Sequence, residues 1–453
     1  MKHIYIILII ILTITGCGLT DVLDNEPPNN LVPENVVNDV SGAENLLNGA
    51  YATLNEQGYY LHTEYTPGLL SGSMEIRTTI GDAQLEQNAV ETDNSVTLPT
   101  LWGVFYEMIN AANNVIDLVP ELDDNLFLNG RKEEIIGEAH FLRAMAHFDA
   151  LRYFGQFYDL NSALGVITRT EPSDFVTRNL GRSSVRDVYE LIIEDLDVAI
   201  NQSPDLTVPY YSSKTSAKAL KARVRLYMGE YAEAAVLADE VIEEGLVSLS
   251  STFADVFDDG ITSDEMIFMR YRDDVNFNSA LLNRKRFQYG FRWYQAGEWL
   301  VDLMGTDPRA GETYSLSNLS IQKVYNIDTY NPTYYIRLAE MYLIKSEGLA
   351  RSGASLEEAK APLEEIRSRA FGSPQISAAT TIPELLDEIY TEIVLELSFE
   401  HGAEWFAGIR FDKIIDNKPT VTSIDQYILP IPQSEIDANG ALSIGDQNPG
   451  YTQ

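Results

Sequence analysis

Apolar residues recur at helical spacing through much of the chain. In residues 138–154 they stand three and four positions apart and would form one face of a helix. The members of this face are Phe141, Leu142, Met145, Phe148 and Leu151. A second apolar face runs from Val188 to Ala199, and Ser184 with Asp187 gives it a start signal. The pattern predicts a mainly α-helical protein.

Two longer segments are typical of helical hairpins. Residues 215–244 are broken near Gly229, and small side chains such as Ala235 would let the two helices approach closely. Residues 335–370 repeat this arrangement around Gly353. Both segments resemble tetratricopeptide-type hairpins. Because they are far apart in the sequence, we do not expect a tandem solenoid.

The N-terminus resembles a bacterial lipoprotein signal. An apolar run from Ile4 to Ile14, too short to span a bilayer as a helix, is followed by Gly16 and Cys17, the only cysteine of the chain. We expect residues 1–16 to be removed and Cys17 to carry the lipid. An ordinary secretory signal with a chance cysteine is the alternative. The acidic, proline-containing residues up to 34 are predicted to form a tether, and residues 35–453 a single domain.

The composition is that of a folded and strongly acidic protein. It has 45% hydrophobic and 10% aromatic residues, with 68 acidic against 32 basic side chains and a net charge of −36. This charge repels phosphate backbones, so nucleic acid is not an expected partner. In so acidic a chain, close carboxylate pairs arise by chance and do not indicate a glycoside hydrolase. The H-E-x-x-H, G-x-S-x-G and P-loop motifs are absent, and we expect no enzyme activity.

Metal-binding patterns are weak, and we expect no metal centre and no cofactor. His140 and His147 stand seven residues apart, too far for one metal on a helix. Acidic residues from Asp258 to Glu265 flank a turn but lack the EF-hand register. A loop-bound calcium ion at this turn stays open as an alternative.

A series of motifs follows one another along the chain. It consists of the lipid-attachment motif ending at Cys17, LLNGAY at 46–51, W-xxx-Y-xx-I-N-xx-N at 102–113, EAHFLRA at 138–144 leading to LRYFG at 151–155, IRLAEMYL at 336–343, and LPIP-xx-EI followed by QNPGY at 429–451. In this order they resemble the SusD/RagB-like outer-membrane lipoproteins of polysaccharide-uptake systems, over essentially the whole chain. One motif departs: residues 399–407 are one residue longer than the family's F-E-G-x-R-W-F-D-L, with Glu404 and Ala407 where Arg and Asp are usual.

The resemblance implies a mainly all-α fold. Four tetratricopeptide-like hairpins would form a scaffold with a loop-rich ligand-binding lobe and minor β elements, in an N-terminal part of about 35–230 and a C-terminal part of about 250–453. It also implies a lipid-anchored, surface-exposed outer-membrane protein that captures polysaccharide or oligosaccharide and delivers it to a SusC-like TonB-dependent transporter, without catalysis. A helical-repeat lipoprotein that binds a protein or peptide partner in the outer membrane is the alternative.

Two loop-rich stretches combine the aromatic and polar side chains that sugar recognition requires. They are Arg270–Trp299 and Gly58–Pro99. The candidate glycan contacts are Tyr65, Arg77, Asp82, Tyr289, Arg292, Trp293, Tyr294 and Trp299. The alternative for each aromatic residue is a core position, since alternating aromatics from Phe287 to Trp293 are typical of a strand facing the core, and Trp299 of the start of a helix.

Basic residues concentrate in the first of these stretches. They include Arg284, Lys285, Arg286 and Arg292. Guanidinium groups pair well with carboxylate and sulfate, so an anionic polysaccharide is one expected ligand. Neutralisation of nearby Asp and Glu side chains is the alternative.

Overall fold

The computed structural model describes residues 37–78, 82–94, 96–175, 177–270, 285–325 and 332–451. The predicted signal peptide, Cys17 and the tether lie outside these ranges, and so do residues 271–284 of the first candidate stretch. Within the described ranges, no helix combines the length and the apolar character that crossing a bilayer requires.

Helices make up most of the described chain, as the periodicity predicts. The first half contains α1 (Val40–Ala52), α2 (Thr63–Ser71), α3 (Ala83–Glu86), α4 (Thr97–Leu118), α5 (Arg131–Phe154), α6 (Val185–Gln202), α7 (Lys214–Tyr227) and α8 (Tyr231–Glu243). The second half contains α9 (Phe253–Asp258), α10 (Glu298–Met304), α11 (Ala310–Thr313), α12 (Leu338–Ser352), α13 (Leu356–Phe371), α14 (Ile382–Leu397), α15 (Ala403–Arg410), α16 (Ile414–Asn417) and α17 (Gln433–Ala438).

Successive helices pair into hairpins that form the scaffold. The pairs are α5/α6, α7/α8, α12/α13 and α14/α15. In the first pair, Gly137 near the start of α5 lies against the backbone just after the end of α6, where an added Cβ would stand 2.4 Å from the Ser203 nitrogen. This contact shows that the two helices run antiparallel. The hairpins predicted over 215–244 and 335–370 are confirmed as α7/α8 and α12/α13.

The two predicted hairpins contact each other although they are distant in sequence. Helix α8 packs along α12, and the contact is close because Gly348 of α12 faces the backbone of α8. A Cβ at Gly348 would lie 2.6 Å from the carbonyl oxygen of Tyr231 and 2.9 Å from the Cβ of Ala235. The residues between the end of α8 at Glu243 and the start of α12 at Leu338 are therefore a long insertion between two hairpins that pack directly against each other.

We expect Gly348→Ala to destabilise the protein by about 1–3 kcal/mol, because the added methyl group overlaps backbone atoms that cannot move without separating the two hairpins. Gly103→Ala is the matched control: it also lies inside a helix, but its Cβ would meet no atom within 4 Å. Alanine should be neutral or stabilising there, since it favours helix. Urea unfolding of both variants measures the difference, and equal stabilities would contradict the close packing.

Short strands accompany the helices. β1 (Met74–Ile76) pairs antiparallel with β3 (Tyr294–Ala296), and β2 (Met266–Arg270) pairs antiparallel with β4 (Thr333–Arg337). The β2/β4 pair leads directly into the scaffold, because the Leu338 nitrogen at the start of α12 donates to the carbonyl of Glu265 at 3.0 Å. The implied minor β elements are thus present.

A buried network of charges holds β4 to the last hairpins. The guanidinium of Arg337 contacts one carboxylate oxygen of Glu265 at 2.6 Å, one of Glu396 at 2.6 Å and one of Glu400 at 2.7 Å. Arg309 reaches the same Glu396 at 3.0 Å. All of these side chains are buried. We call this group, which consists of Glu265, Arg309, Arg337, Arg369, Glu396 and Glu400, the ion cluster.

Glu404, at the position where the motif departs from the family, is also buried. Its carboxyl group accepts hydrogen bonds from the Ser73 hydroxyl at 3.0 Å and from the Phe399 backbone nitrogen at 3.3 Å. Burial raises the pKa of Glu404 from its ordinary value of 4.5 to about 7. Near neutral pH, this carboxyl group therefore changes charge inside the fold.

A pH dependence of stability follows from Glu404. Because its pKa is raised on folding, its stabilising contribution is fully present below about pH 4.5 and is lost as the pH rises through about 7. Relative to Glu404→Gln, the wild type should therefore lose about 3 kcal/mol of unfolding free energy between pH 5 and pH 8. Urea unfolding of both proteins at the two pH values measures this difference. A difference that stays constant with pH would contradict the prediction.

Candidate functional site

The two candidate stretches meet in the structure. β1 lies in the stretch Gly58–Pro99, and β3 lies in the stretch Arg270–Trp299. In their antiparallel pairing Met74 is opposite Ala296 and Ile76 is opposite Tyr294. The ladder continues with the Arg77 nitrogen, which donates to the Trp293 carbonyl at 2.9 Å. Residues more than 200 positions apart in sequence therefore build one surface.

Three adjacent aromatic rings lie on this surface. Phe287 belongs to a π-helical turn, Arg286–Gly290, and its ring centroid is 5.3 Å from that of Phe291 and 5.6 Å from that of Trp293. Phe291 is 54% exposed and Phe287 is 42% exposed, while Trp293 is half-buried. Large apolar rings exposed together are uncommon unless a ligand or a partner covers them. We call these three residues the aromatic platform.

Three arginines flank the platform. The guanidinium carbon of Arg286 lies 5.2 Å from the centre of the Phe291 ring. Arg292 directly precedes Trp293, and its Nη1 donates to the Asn318 carbonyl at 3.1 Å. Arg77 is exposed and is held next to Trp293 by the backbone hydrogen bond between them. We call Arg77, Arg286 and Arg292 the arginine rim.

The turn that carries the platform is anchored from inside the protein. The Lys285 ammonium, just before the turn, donates to Glu64 Oε1 at 2.6 Å. The Tyr289 hydroxyl donates to the other oxygen of Glu64 at 3.1 Å. Lys285, Tyr289 and Glu64 are all buried, and burial together with the Glu64 charge raises the pKa of Tyr289 well above its usual value. These buried side chains hold the turn in place, and the turn positions the exposed rings.

Three of the candidate aromatic residues are core residues. Tyr65, Tyr289 and Tyr294 are buried, and the rings of Tyr65 and Tyr294 pack with their centroids 4.9 Å apart beneath the β1/β3 ladder. Because they are buried, these three rings cannot stack on a ligand, and the prediction that they contact glycan directly is wrong for this structure. The alternative, a core position, is therefore correct for these three residues. The strand considered for residues 287–293 is not formed, because residues 286–290 form the π-helical turn instead.

The other candidates take different places. Trp293, Arg292 and Arg77 lie at the platform. Trp299 lies in the first turn of α10, half-buried against the core. Asp82 accepts a hydrogen bond from the Thr97 hydroxyl at 2.8 Å and another from the Asn94 amide at 3.2 Å, so it ties its own loop together.

Phe287 and Phe291 are not among the glycan contacts predicted from the sequence, and Arg286 is predicted only as a member of the basic cluster. The spacing of the two phenylalanines was the available signal, because residues four apart share one face of a helical turn, whereas Tyr289 falls on the other face.

A polar cleft of about 610 Å³ lies beside the platform. Tyr289 and Gly290 of the π-helical turn line one part of it, and Glu312 and Lys323 line another. Its volume lies within the range of about 300–1,000 Å³ that small-ligand sites have. Lys323 also joins the cleft to the ion cluster, because its Nζ contacts Glu400 at 2.6 Å.

A second pocket, of about 410 Å³, lies between α1, α5 and the loop before α7. It has one exposed aromatic ring, Tyr211, which is 38% exposed. Its arginine, Arg131, is already paired with Glu44 and Glu138, each at 2.7 Å. A single ring and a neutralised cation make this pocket a weaker candidate than the platform.

The residues considered as metal ligands have other partners. His140 contacts Asp195 at 2.6 Å. His147 is fully buried, and burial lowers its pKa to about 4. Glu265, from the turn where calcium was considered, pairs with Arg337 in the ion cluster. Within the described ranges, no group of three or more His, Cys, Asp or Glu side chains is arranged to hold a metal ion. The expectation of no cofactor stays a prediction, with loop-bound calcium as its alternative.

Comparison with known proteins assigns the fold to a family. The model of a family described as "Starch-binding associating with outer membrane" matches residues 21–228, and that of the SusD family matches residues 283–417. The chain belongs to the SusD/RagB-like family. A SusD-like protein from Formosa agariphila is 23% identical and aligns with 99% of this chain and 100% of its own length. Another from the same organism is 31% identical over 35% of this chain and 29% of its own length.

Solved structures of SusD-like proteins share the architecture. A SusD superfamily protein from Bacteroides thetaiotaomicron superposes with a TM-score of 0.78 at 24% identity, over 91% of this chain and 100% of that protein. A laminarin-binding SusD-like protein superposes with a TM-score of 0.73 at 21% identity, over 92% of this chain and 100% of that protein. At these identities the comparison establishes the SusD-like fold of a helical scaffold with small sheets.

Proposed function

We propose that this SusD-like protein binds glycan chains on its aromatic platform and passes them to a SusC-like TonB-dependent transporter in the outer membrane. The observation that carries the proposal is the set of three adjacent, partly exposed rings of Phe287, Phe291 and Trp293 beside a polar cleft. Sugar rings present apolar C–H faces that stack on such rings, while their hydroxyl groups need polar partners nearby. The platform and the cleft supply both.

The expected affinity is modest. If two platform rings contribute about 1 kcal/mol each beyond the area they bury, and several hydrogen bonds add to this, the dissociation constant falls between about micromolar and millimolar. A long polysaccharide that can occupy the site at many positions along its chain is retained more strongly than this value indicates. Weak binding of single segments also suits a protein that must release its ligand to a transporter.

The proposal also includes a lipid anchor at Cys17 and a transporter partner in the outer membrane. The family description places related proteins at the outer membrane, and Cys17 supplies the thiol for a lipid anchor. A protein tethered in this way at the cell surface stays close to a transporter in the same membrane, so the captured chain travels only a short distance. The role proposed is binding and delivery, without catalysis.

Affinity electrophoresis of the mature chain, from residue 17 with Cys17→Ser, tests the proposal. The gels contain starch, laminarin, dextran, polygalacturonate or dextran sulfate, and a gel without polysaccharide is the reference. We expect retardation by at least one polysaccharide, with no soluble sugar released on incubation. A protein that none of them retards would contradict glycan binding, and released sugar would contradict a role without catalysis.

A further inference from the structure

The cations of the arginine rim form no ion pair with any acidic side chain that the structure describes. The protein has 68 acidic and 32 basic residues, and most of the described arginines and lysines contact a carboxylate. None of the ion pairs within the described ranges includes Arg77, Arg286 or Arg292. Three cations without an ion pair among the described residues therefore gather around one group of exposed rings.

The described acidic side chains near the β1/β3 ladder accept hydrogen bonds from neutral donors and form no ion pair with the arginine rim. Glu75 accepts a hydrogen bond from the Glu298 nitrogen at 2.8 Å, and Glu86 accepts one from the Ile76 nitrogen at 2.7 Å. Asp82 is used by Thr97 and Asn94. Neutralisation of neighbouring carboxylates, the alternative that the sequence left open, does not describe these three arginines. It does describe Lys285, which is buried against Glu64.

The backbone at Arg292 is also specialised. Its φ is +58°, a left-handed conformation that L-residues with a Cβ adopt at an energetic cost. The Asn318 carbonyl holds the side chain in place from a separate loop. A strained residue whose side chain is fixed at an exposed ligand surface is a feature of binding sites.

We propose that the ligand of the aromatic platform is an anionic polysaccharide, bearing carboxylate or sulfate groups that the arginine rim recognises. This inference rests on the proposed glycan binding and specifies its substrate class. A guanidinium presents paired donors that match the oxygens of a carboxylate or sulfate, while the platform rings stack on the sugar faces between the charged groups. Arg286 serves both surfaces, since it lies over the Phe291 ring.

Matched pairs of polysaccharides with one backbone and different charge test this inference. Suitable pairs are polygalacturonate with its methyl ester, and dextran sulfate with dextran. The mature chain should bind the charged member of at least one pair about 30-fold more tightly than the neutral member, with each arginine contributing about threefold. Raising NaCl from about 0.1 M to about 1 M shortens the Debye length from about 10 Å to about 3 Å and should remove most of this preference.

Variants of the three rim arginines test whether the rim causes the preference for charged polysaccharide. The triple variant Arg77→Gln, Arg286→Gln and Arg292→Gln should lose the preference for the charged member, and lysine at the same positions should restore part of it, since lysine keeps the charge but not the paired donors. Arg186→Gln is the matched control, because Arg186 is exposed like Arg77 and Arg286 and has no ion pair among the described residues. It should bind as the wild type does.

The outcomes separate this inference from the proposed function. Equal, salt-insensitive binding of a neutral polysaccharide, lost on removal of the platform rings, overturns the anionic ligand and leaves glycan binding standing. Binding to no member of any pair overturns the anionic ligand, and a protein that starch and laminarin also fail to retard overturns glycan binding as well. A charge preference that the triple variant retains, in a protein that unfolds like the wild type, also overturns the assignment to the arginine rim.

Discussion

Replacing Phe291 and Trp293 together with alanine is expected to weaken polysaccharide binding about 30-fold. Each ring that stacks on a sugar is worth about 1 kcal/mol or more, and two such losses combine to this factor. Both rings pack against Phe287, so their removal takes away two of the three rings of the aromatic platform. Affinity electrophoresis with the polysaccharide that retards the wild type measures the loss.

The same double variant should stay folded. Phe291 is exposed and Trp293 is half-buried, so their truncation should cost about 1 kcal/mol of unfolding free energy at most. Phe175→Ala is the matched control, because Phe175 is an exposed phenylalanine, 87% accessible, that also lies near an arginine, Arg178 at 5.5 Å. It should leave binding unchanged. A folded double variant that still binds as the wild type does would show that the ligand lies elsewhere.

The second large effect is expected at Glu396 in the ion cluster. Glu396→Gln should destabilise the protein by about 3–5 kcal/mol, because it leaves buried guanidinium groups without their shared counter-charge. Glu396 contacts Arg337 at 2.6 Å, Arg309 at 3.0 Å and also Arg369. Burial disfavours its charged form, but the three guanidinium groups outweigh burial and hold the pKa of Glu396 well below its ordinary value.

Glu357→Gln provides the comparison for Glu396. Glu357 pairs with Lys360 at 3.2 Å, but its side chain is exposed, so the pair contributes less than about 1 kcal/mol. Urea unfolding at neutral pH measures both variants. Since the pKa of Glu396 is lowered on folding, its contribution is present above the ordinary glutamate pKa and disappears only in strong acid. Equal unfolding free energies for the two variants would contradict a structural role for the ion cluster.

The helical scaffold could be predicted because its signals are local. Apolar spacing in residues 138–154 and small residues around Gly229 report on contacts within one helix or between neighbouring helices. The packing of α8 against α12 could not be predicted from local sequence patterns. It depends on Gly348 meeting the backbone of Tyr231 across a long insertion, and a glycine inside a helix is by itself an ambiguous signal.

The candidate site was predicted only in outline. The composition identifies both stretches. Their proximity in the fold depends on the pairing of β1 with β3, and no local sequence pattern predicts that pairing. The alternation from Phe287 to Trp293 indicated a strand, in which all four aromatic residues would share one face. The π-helical turn instead separates Tyr289, which is buried, from Phe287 and Phe291, which are exposed. The Lys285–Glu64 pair that anchors this turn joins distant parts of the sequence.

The central claim is that a glycan lies on the aromatic platform. The most direct test is a crystal structure of the protein bound to an oligosaccharide cut from a polysaccharide that retards it in the gel. If the ligand lies on the platform, atoms of a sugar ring should lie within about 4 Å of the Phe291 or Trp293 ring. The polar groups of that sugar should face the arginine rim and the adjoining cleft. An oligosaccharide seated instead in the pocket beside Tyr211, with the platform uncovered, would contradict it.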